Sequence, residues 1–416
     1  MNSAGKENLS RELDTQVDRS SDEIREFLTK FIGIRSYSEK EYEAQEFLNE
    51  WLQSAGFKSH LISTVDKHYR RKTFHFQSNG TSPAPNLACP LSSPGKGRSL
   101  LINSHSDVVP VHHEELFTPK VDGDKVFGRG AVDAKGQIAT WILAFLALKR
   151  ADVSLRGECI GSSVIEEETG GNGSQSWIRD QKNRDLVIVM EPADLIVHPA
   201  ARGGLWFRIT TTGVPIHLGR WWEGESAFEN LEIILKRIRE WEQKIVEESK
   251  GIDLFPDNPS PVRVNVGVVR AGDWAASVPA DAKAEGGVTF LPNKNTSQIH
   301  DEMRSIVKAV ARERGFEADI EFQELQNESY FMDINHPGVK LLDKARKEVL
   351  GTSAISGYLA SCDAQLFYHK AEMPALVFGP GDLREAHSDH EFITMQSIRD
   401  GAKILSRFIV DWCGVE

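Results

Sequence analysis

Residues 100–110 read LLINSHSDVVP, a short apolar run followed by a histidine and an aspartate two residues apart. An uninterrupted apolar run of this length predicts a strand that is buried on both faces of a parallel sheet. In open α/β sheets, ligands bind beyond the carboxyl ends of such strands. His105 is therefore predicted to lie where a functional site is usually built, although one histidine and one aspartate at a strand end are common and need partners.

Further along the chain, four more predicted loops or strand ends carry side chains that can bind a metal or move a proton. They are Asp133 in the glycine-rich loop 128–136, Glu167 and Glu168 after the strand predicted at 158–165, Glu191 after the strand predicted at 186–190, and His387 after the strand predicted at 375–378. Strand ends that share one edge of a sheet would gather these side chains in one cleft.

Several carboxylates in one cleft repel one another, and burying them is costly unless a cation compensates for their charge. Mixed histidine and carboxylate ligands suit zinc, cobalt or manganese better than magnesium or calcium, which prefer oxygen ligands alone. Five ligands exceed the four of one tetrahedral zinc, so a bridging carboxylate would serve two metal ions about 3.5–4 Å apart. The alternative is that residues 166–168 form a solvated acidic turn.

Five motifs in this order carry a family resemblance. They are His105-Ser106-Asp107, Gly128-Arg129-Gly130 with Asp133 and Lys135-Gly136, Glu167-Glu168 with Gly170-Gly171, Glu191-Pro192, and His387. The series resembles that of the M20 metallopeptidase family, which includes acetylornithine deacetylase, succinyl-diaminopimelate desuccinylase, aminoacylase and glutamate carboxypeptidases. The resemblance covers nearly the whole chain and implies a hydrolase with two divalent metal ions, zinc first and cobalt or manganese as alternatives.

The resemblance also implies how the metal ions are held. Asp133 would bridge them, His105 and Glu191 would complete one site, and Glu168 and His387 would complete the other. A water shared by the two ions would lose a proton near neutral pH.

The catalytic roles follow from the same resemblance. Asp107 would orient His105, and Glu167 would be the general base that takes a proton from the attacking water and returns it to the leaving amine. His217, in a stretch similar to the family's G-x-x-x-H lid motif, would donate to the oxyanion. Pro215 is unusual inside that motif, and a surface histidine is the alternative.

For the fold we predict a mixed-sheet α/β catalytic domain with helices on both faces, formed by residues 1–205 and 324–416. The order β-α-β-β-α between them suits a small, mainly antiparallel sheet with helices on one face, so residues 206–323 are predicted as an inserted α+β lid or dimerisation domain. Residues 1–19 are predicted to be a mobile tail, and residues 78–98 a surface loop rich in Gly, Pro and Ser. Ser20 and Glu23 are predicted to form a capping box.

Composition and sequence patterns disfavour several other classes of function. The net charge of −12 disfavours a nucleic-acid surface, which needs basic patches. Four dispersed cysteines indicate neither a disulfide framework nor a zinc ribbon. We find no signal-peptide pattern and no membrane-spanning run, so a cytoplasmic protein is expected. The resemblance adds the expectation of a homodimer through the inserted domain.

The predicted substrate is an N-acyl amide of a small molecule. Residues 168–173, 205–208 and 272–274 resemble the acetylornithine deacetylase-like branch, which includes a deformylase of a formylaminomethyl pyrimidine. Thr289 and Gln365 stand where many relatives have an arginine, the natural partner of a substrate carboxylate. Four other arginines could replace the missing arginine: Arg202, Arg220, Arg270 and Arg384. Surface roles are expected for all four. Three tryptophans would suit a flat substrate: Trp221, Trp222 and Trp274. The alternative is that they pack within the lid.

Three alternatives compete with an N-acyl amide hydrolase. The first is a two-metal aminopeptidase or carboxypeptidase, which differs in substrate and not in chemistry. The second is a non-catalytic binding relative, which would be expected to lack Glu167 or a metal ligand. The third is a cysteine hydrolase that uses Cys362, for which the sequence offers no paired histidine.

Overall fold

The computed structural model describes residues 3–37, 40–64, 84–181, 183–255, 260 and 262–416. Its helices are α1 Ser3–Ile32, α2 Tyr42–Ser54, α3 Lys135–Arg150, α4 Asn172–Asp180, α5 Ala227–Glu248, α6 Thr296–Arg314, α7 Pro337–Leu350, α8 Ala364–Lys370 and α9 Met395–Cys413. Its strands are β1 His60–Ile62, β2 Asn86–Ser92, β3 Leu100–His105, β4 Lys120–Asp122, β5 Lys125–Phe127, β6 Cys159–Val164, β7 Leu186–Val189, β8 Val197–Ala201, β9 Gly203–Thr212, β10 Arg263–Ala271, β11 Asp281–Phe290, β12 Ala318–Asn327, β13 Tyr330–Phe331, β14 Ile355–Tyr358, β15 Ala375–Val377 and β16 Phe392–Thr394. Within the described ranges, no helix is both long and apolar enough to cross a lipid bilayer.

The larger sheet has nine strands in the order β1-β2-β6-β3-β7-β15-β8-β13, and β14 also pairs with β8. Its centre is parallel: β3 pairs with β6 and β7, and β7 pairs with β15, all in parallel. Every residue of these four strands is buried, as expected for parallel strands that are covered on both faces. Their carboxyl ends share one edge of the sheet, as the sequence predicts.

Helices cover both faces of this sheet. Alternate residues of β7 belong to different apolar clusters, because successive side chains of a strand point to opposite faces. Leu186 and Ile188 lie in the cluster that includes residues of α1, α3 and α9. Val187 and Val189 lie in the cluster that includes Trp177 of α4 and residues of α8. The predicted mixed-sheet α/β architecture is confirmed.

The lid is the four-stranded antiparallel sheet β10-β11-β9-β12 with α5 and α6 packed on one face. The predicted β-α-β-β-α order is present, and β12 adds a strand that the sequence analysis did not identify. The predicted bounds at residues 206 and 323 fall inside β9 and β12, so the two lid strands that connect to the larger sheet extend beyond those bounds. The domain limits remain a prediction.

The prediction of a mobile N-terminal tail is wrong. Residues 3–19 belong to α1, in which Leu13 and Val17 are buried against the core. They continue at helical spacing the buried apolar stripe of α1 that includes Ile24, Phe27 and Leu28. The capping box is also wrong, because Ser20 is inside this helix and its Oγ donates a hydrogen bond to the Gln16 carbonyl at 2.7 Å.

The surface loop predicted at residues 78–98 is confirmed at residues 93–98, which are irregular and mostly exposed, and is wrong at residues 86–92. Residues 78–83 lie outside the described ranges. Residues 86–92 form β2, which pairs antiparallel with both β1 and β6. Leu87 and Cys89 are fully buried. Pro90 is tolerated inside this strand because the register with β6 shifts between Pro90 and Ser92.

Candidate metal centre

Five predicted metal ligands converge at the carboxyl edge of the larger sheet; we call them the five-residue cluster. His105 is the last residue of β3, and Glu191 follows β7 by two residues. Glu168 lies in the loop after β6, and Asp133 lies in the loop before α3. His387 lies between β15 and β16 and has a left-handed backbone with φ of 61°.

Asp133 lies at the centre of this cluster and contacts both histidines. Its Oδ1 is 3.0 Å from His105 Nε2, and its Oδ2 is 3.3 Å from His387 Nε2. Glu168 Oε1 is 3.1 Å from His387 Nε2, and Glu191 Oε2 is 3.9 Å from His105 Nε2. The donors therefore fall into two groups that share one carboxylate, the arrangement that a bridging ligand between two cations requires.

The electrostatics of the cluster show that it attracts positive charge. Hydrogen bonds to Asp133 and Glu168 raise the pKa of His387 to about 11. Burial raises the pKa of Glu191 well above its usual range, although His105 opposes this effect, and Glu191 Oε1 is buried without a hydrogen bond to any described residue. Imidazole nitrogens and carboxylate oxygens are donors that zinc, cobalt and manganese accept. The residues fit a pair of divalent metal ions.

Asp107 fixes the position of the loop that follows β6. Its Oδ1 accepts the backbone N–H of Glu167 and its Oδ2 that of Glu168, both at 3.1 Å. His105 Nδ1 donates to the Asp107 carbonyl oxygen at 3.1 Å and lies 3.4 Å from its carboxylate. Asp107 thus contacts both the histidine that it was predicted to orient and the two consecutive glutamates.

Glu391 supports the Asp133 loop, and the sequence analysis assigned it no role. Its Oε1 accepts the backbone N–H groups of Val132 and Asp133 at 3.0 and 3.1 Å. Its Oε2 accepts Arg129 Nη1 at 2.6 Å, and both side chains of this ion pair are almost completely buried. Glu391 lies 258 residues from Asp133 in the sequence, so no local pattern reveals the contact.

Replacement of Arg129 by methionine is expected to lower the free energy of unfolding by about 3–5 kcal/mol, because it leaves a buried carboxylate without its cation. Metal affinity is expected to fall as well, since Glu391 holds the backbone of Asp133. Chemical denaturation with and without added metal would measure both effects. Arg11→Met, in an exposed ion pair of α1, is the control and should change little. Unchanged stability of Arg129→Met would contradict this account.

The other residues that the sequence analysis singled out lie elsewhere. His217 is exposed, its Nδ1 accepts the Gly219 N–H at 3.1 Å, and no hydrogen bond between described residues joins it to the five-residue cluster. Trp221, Trp222 and Trp274 are 60%, 64% and 72% exposed, which contradicts the alternative in which they pack within the lid.

Of the four arginines, Arg202 differs from its prediction. Only 9% of it is exposed, which contradicts the surface role expected for it. Its Nη2 donates to the Ser260 carbonyl oxygen. The side chains of Arg220 and Arg384 are exposed and form ion pairs with Glu223 and Asp382, and Arg270 is exposed as well.

Comparison with known proteins places these residues in a family. The model of the peptidase family M20/M25/M40 matches residues 101–411. The N-formyl-4-amino-5-aminomethyl-2-methylpyrimidine deformylase of Bacillus subtilis is 28% identical over 345 residues, which are 76% of this chain and 79% of the relative. A probable carboxypeptidase of Uncinocarpus reesii is 25% identical over 95% of this chain and 88% of its own length.

The fold agrees with that of solved structures. The Saccharomyces cerevisiae di-peptidase Dug1p superposes with a TM-score of 0.78 at 14% identity, over 97% of this chain and 98% of its own. Human carnosine dipeptidase 1 superposes with a TM-score of 0.74 at 14% identity, over 97% and 99% of the two chains. At these identities the likeness shows the fold alone. The family match is the decisive comparison: this chain belongs to the peptidase family M20/M25/M40 and is a metal-dependent hydrolase.

Proposed function

We propose that the protein hydrolyses an N-acyl amide, such as a formyl or acetyl amide, of a small-molecule amine, with two divalent metal ions and Glu167 as the general base. The observation that carries the proposal is the position of Asp133, whose two oxygens contact histidines from two separate donor groups. Glu167 lies beside this arrangement, and its carboxylate makes no hydrogen bond to another described side chain. An acid–base group without a structural partner is available for proton transfer.

Two metal ions in this cluster would polarise the amide carbonyl and supply a water that ionises near neutral pH. Asp107 holds the backbone of Glu167 and Glu168, so it fixes one residue proposed as a base beside one proposed as a ligand. Glu167 accepts the proton of the attacking water and delivers it to the leaving nitrogen. Burial and the nearby carboxyl groups of Asp363 and Glu191 raise the pKa of Glu167.

His217 has no place in this mechanism within one chain, because it is exposed at the end of the lid. We retain it as the proposed oxyanion donor of a homodimer, in which the lid of one copy would serve the cluster of the other. The acetylornithine deacetylase-like specificity also stays a prediction.

A peptidase is the second candidate function, and the relatives support it. Several of them are named probable carboxypeptidases, and the solved structures with the same fold include dipeptidases. The deformylase relative supports the amide hydrolase instead. A cysteine hydrolase is disfavoured, because Cys362 is buried and burial raises the pKa of its thiol well above the usual range.

A turnover panel decides between these candidates. The substrates are N-formyl, N-acetyl, N-succinyl and N-carbamoyl amines together with dipeptides, each tested as purified, after chelation, and after addition of zinc or cobalt. Release of free amine from one acyl class is expected, with loss of activity on chelation and its return with metal. Turnover of dipeptides alone would favour the peptidase, and full activity without metal would contradict the mechanism.

A further inference from the structure

The face of the lid sheet without helices, which we call the open face, meets the larger sheet at Gly204. Along β9, Leu205 and Phe207 point into the apolar core beneath α5 and α6. Gly204 and Trp206 therefore point to the open face. A side chain at Gly204 would bring its Cβ within 3.1 Å of Ser361 Oγ, so this part of the open face lies directly against the segment after β14.

A row of neutral polar side chains crosses the sheet at this level. Thr289 of β11 and Asn327 of β12 are the register partners of Gly204 and share its face. Asn327 Nδ2 donates to Ser361 Oγ at 3.4 Å, and Gln365 Nε2 donates to Asn327 Oδ1 at 3.2 Å. Thr289 Oγ1 is buried and has no hydrogen-bond partner among the described residues, which is unfavourable unless a ligand supplies one.

This neutral row is close to the five-residue cluster. Asp363, between Ser361 and Gln365, lies against the loop that carries Glu167 and Glu168. A Cβ at Gly171 of that loop would be 2.3 Å from Asp363 Oδ1. One short segment, residues 361–365, therefore contacts both the row and the loop that carries Glu167 and Glu168.

Trp206 adds a flat surface beside the row. It lies two residues further along β9, about 7 Å from Gly204 at the rise of an extended strand. Its register partner on β11 is Gly287, and 40% of Trp206 is exposed. A cavity of about 410 Å³ next to Trp206 is also lined by Gly287, Asn265 and the ion-paired Arg208 and Glu285. An aromatic ring can stack where no opposing side chain fills the space.

The charges around the row disfavour an anionic substrate. Arg263, the register partner of Thr289 on β10, has a side chain that is 61% exposed and 3.6 Å from Glu242. Arg202 donates to Ser260, and Asp363 beside the row is a buried carboxyl group. Arg208, on the open face two residues beyond Trp206, pairs with Glu285 and Glu321. A substrate carboxylate at this position would have to compete with these acidic partners for a cation, whereas a neutral ring would lose little hydration.

We infer that Thr289, Asn327 and Trp206 bind the amine part of the substrate and select a flat, neutral, hydrogen-bonding ring over an amino acid. Trp206 provides the stacking surface, and the amide and hydroxyl groups pair with ring nitrogens or amino groups. This inference rests on the proposed function, because it concerns the amine released by amide hydrolysis.

Three N-formyl compounds test the selection. N-formylbenzylamine is the common scaffold, N-formylphenylglycine adds a carboxylate to it, and an N-formyl aminomethylpyrimidine adds ring nitrogens. The pyrimidine is expected to have the highest kcat/KM and phenylglycine the lowest, with a ratio of at least about 100. Equal or better turnover of the phenylglycine compound would overturn the inference while leaving the proposed function intact.

A charge substitution makes the test specific to the row. Thr289→Arg is expected to shift the kcat/KM ratio by at least about tenfold towards phenylglycine, because the arginine supplies the missing partner of a carboxylate. Thr210→Arg, at an exposed position further along β9, is the matched control and should leave the ratio unchanged. An unchanged ratio in Thr289→Arg, with a folded protein by circular dichroism, would overturn the assignment of the row.

Calorimetry separates this inference from the proposed function. An aminomethylpyrimidine and phenylglycine, the amines without their formyl groups, are titrated into the metal-loaded protein. Binding of the pyrimidine, weakened about tenfold by Trp206→Leu, is expected even if no amide is hydrolysed. Preferential binding of phenylglycine would overturn the inference directly. Absence of turnover together with pyrimidine binding would instead refute the proposed reaction.

Discussion

Glu167→Gln is expected to lower kcat by roughly 10²–10⁴-fold while two metal ions remain bound to each chain. Glutamine keeps the size of the side chain but accepts no proton from water at neutral pH. The backbone N–H of residue 167 still donates to Asp107, so the loop that carries Glu168 keeps its position. The effect is therefore expected on turnover and not on metal affinity.

Steady-state kinetics and elemental analysis on the same preparation would test this expectation. Glu115→Gln, which changes an exposed glutamate, is the control and should retain full activity. Full activity in Glu167→Gln would refute the role proposed for this residue. Loss of metal would instead show that Glu167 is a ligand.

Asp133→Ala is expected to weaken the binding of both metal ions together, because Asp133 is the one member of the cluster that contacts both histidines. Removal of a residue that only hydrogen-bonds to a metal ligand lowers metal affinity about 10–100-fold. Loss of a ligand that both ions share is expected to lower metal affinity more than this. His387→Ala, by contrast, removes a donor from one group and is expected to leave one ion bound.

Titration with a competing chelator, followed by elemental analysis, would count the ions that remain. Asp122→Ala, at an exposed position, is the control and should keep two. Two tightly bound ions in Asp133→Ala would contradict the bridging arrangement. Loss of both ions in His387→Ala would show that the two sites depend on each other through more than Asp133.

The buried parallel strands were the part of the fold that the sequence predicted best. The strands at 100–105, 159–164 and 186–189 begin with apolar residues, a local pattern that favours parallel strands buried on both faces. Because such strands end at one edge, the sequence also predicts that His105, Glu168 and Glu191 lie near one another.

Predictions failed where distant packing decides the structure. The first 19 residues are polar in composition, but Leu13 and Val17 form a sparse helical stripe that needs α9 as a partner. Ion pairs from Asp14 to Arg407 and from Asp18 to Lys403 help to fix this contact. Strand β12 was missed for a similar reason, since its charged sequence becomes a strand only beside β9.

The residues that support the candidate metal centre could likewise not be identified from the sequence. The five predicted ligands were identified through motifs, and the structure brings them together. The carboxylate of Glu391 and the amide of Asn327 stand alone in the sequence, and their contacts span 34 to 262 residues. A residue that acts on the backbone of another segment leaves no local pattern.

The sheet order has a consequence for the synthesis of the chain. Strand β15 lies between β7 and β8, although about 185 and about 175 residues, respectively, separate it from them in the sequence. While the ribosome is still making the lid, β7 therefore presents an unpaired apolar edge, which is prone to association with other chains. His387 follows β15 by ten residues, so the nascent chain cannot hold both metal ions until that gap closes. Metal binding is thus expected to be one of the last events in folding. A shortage of metal should leave a chain that has formed its sheet but has an incomplete metal centre.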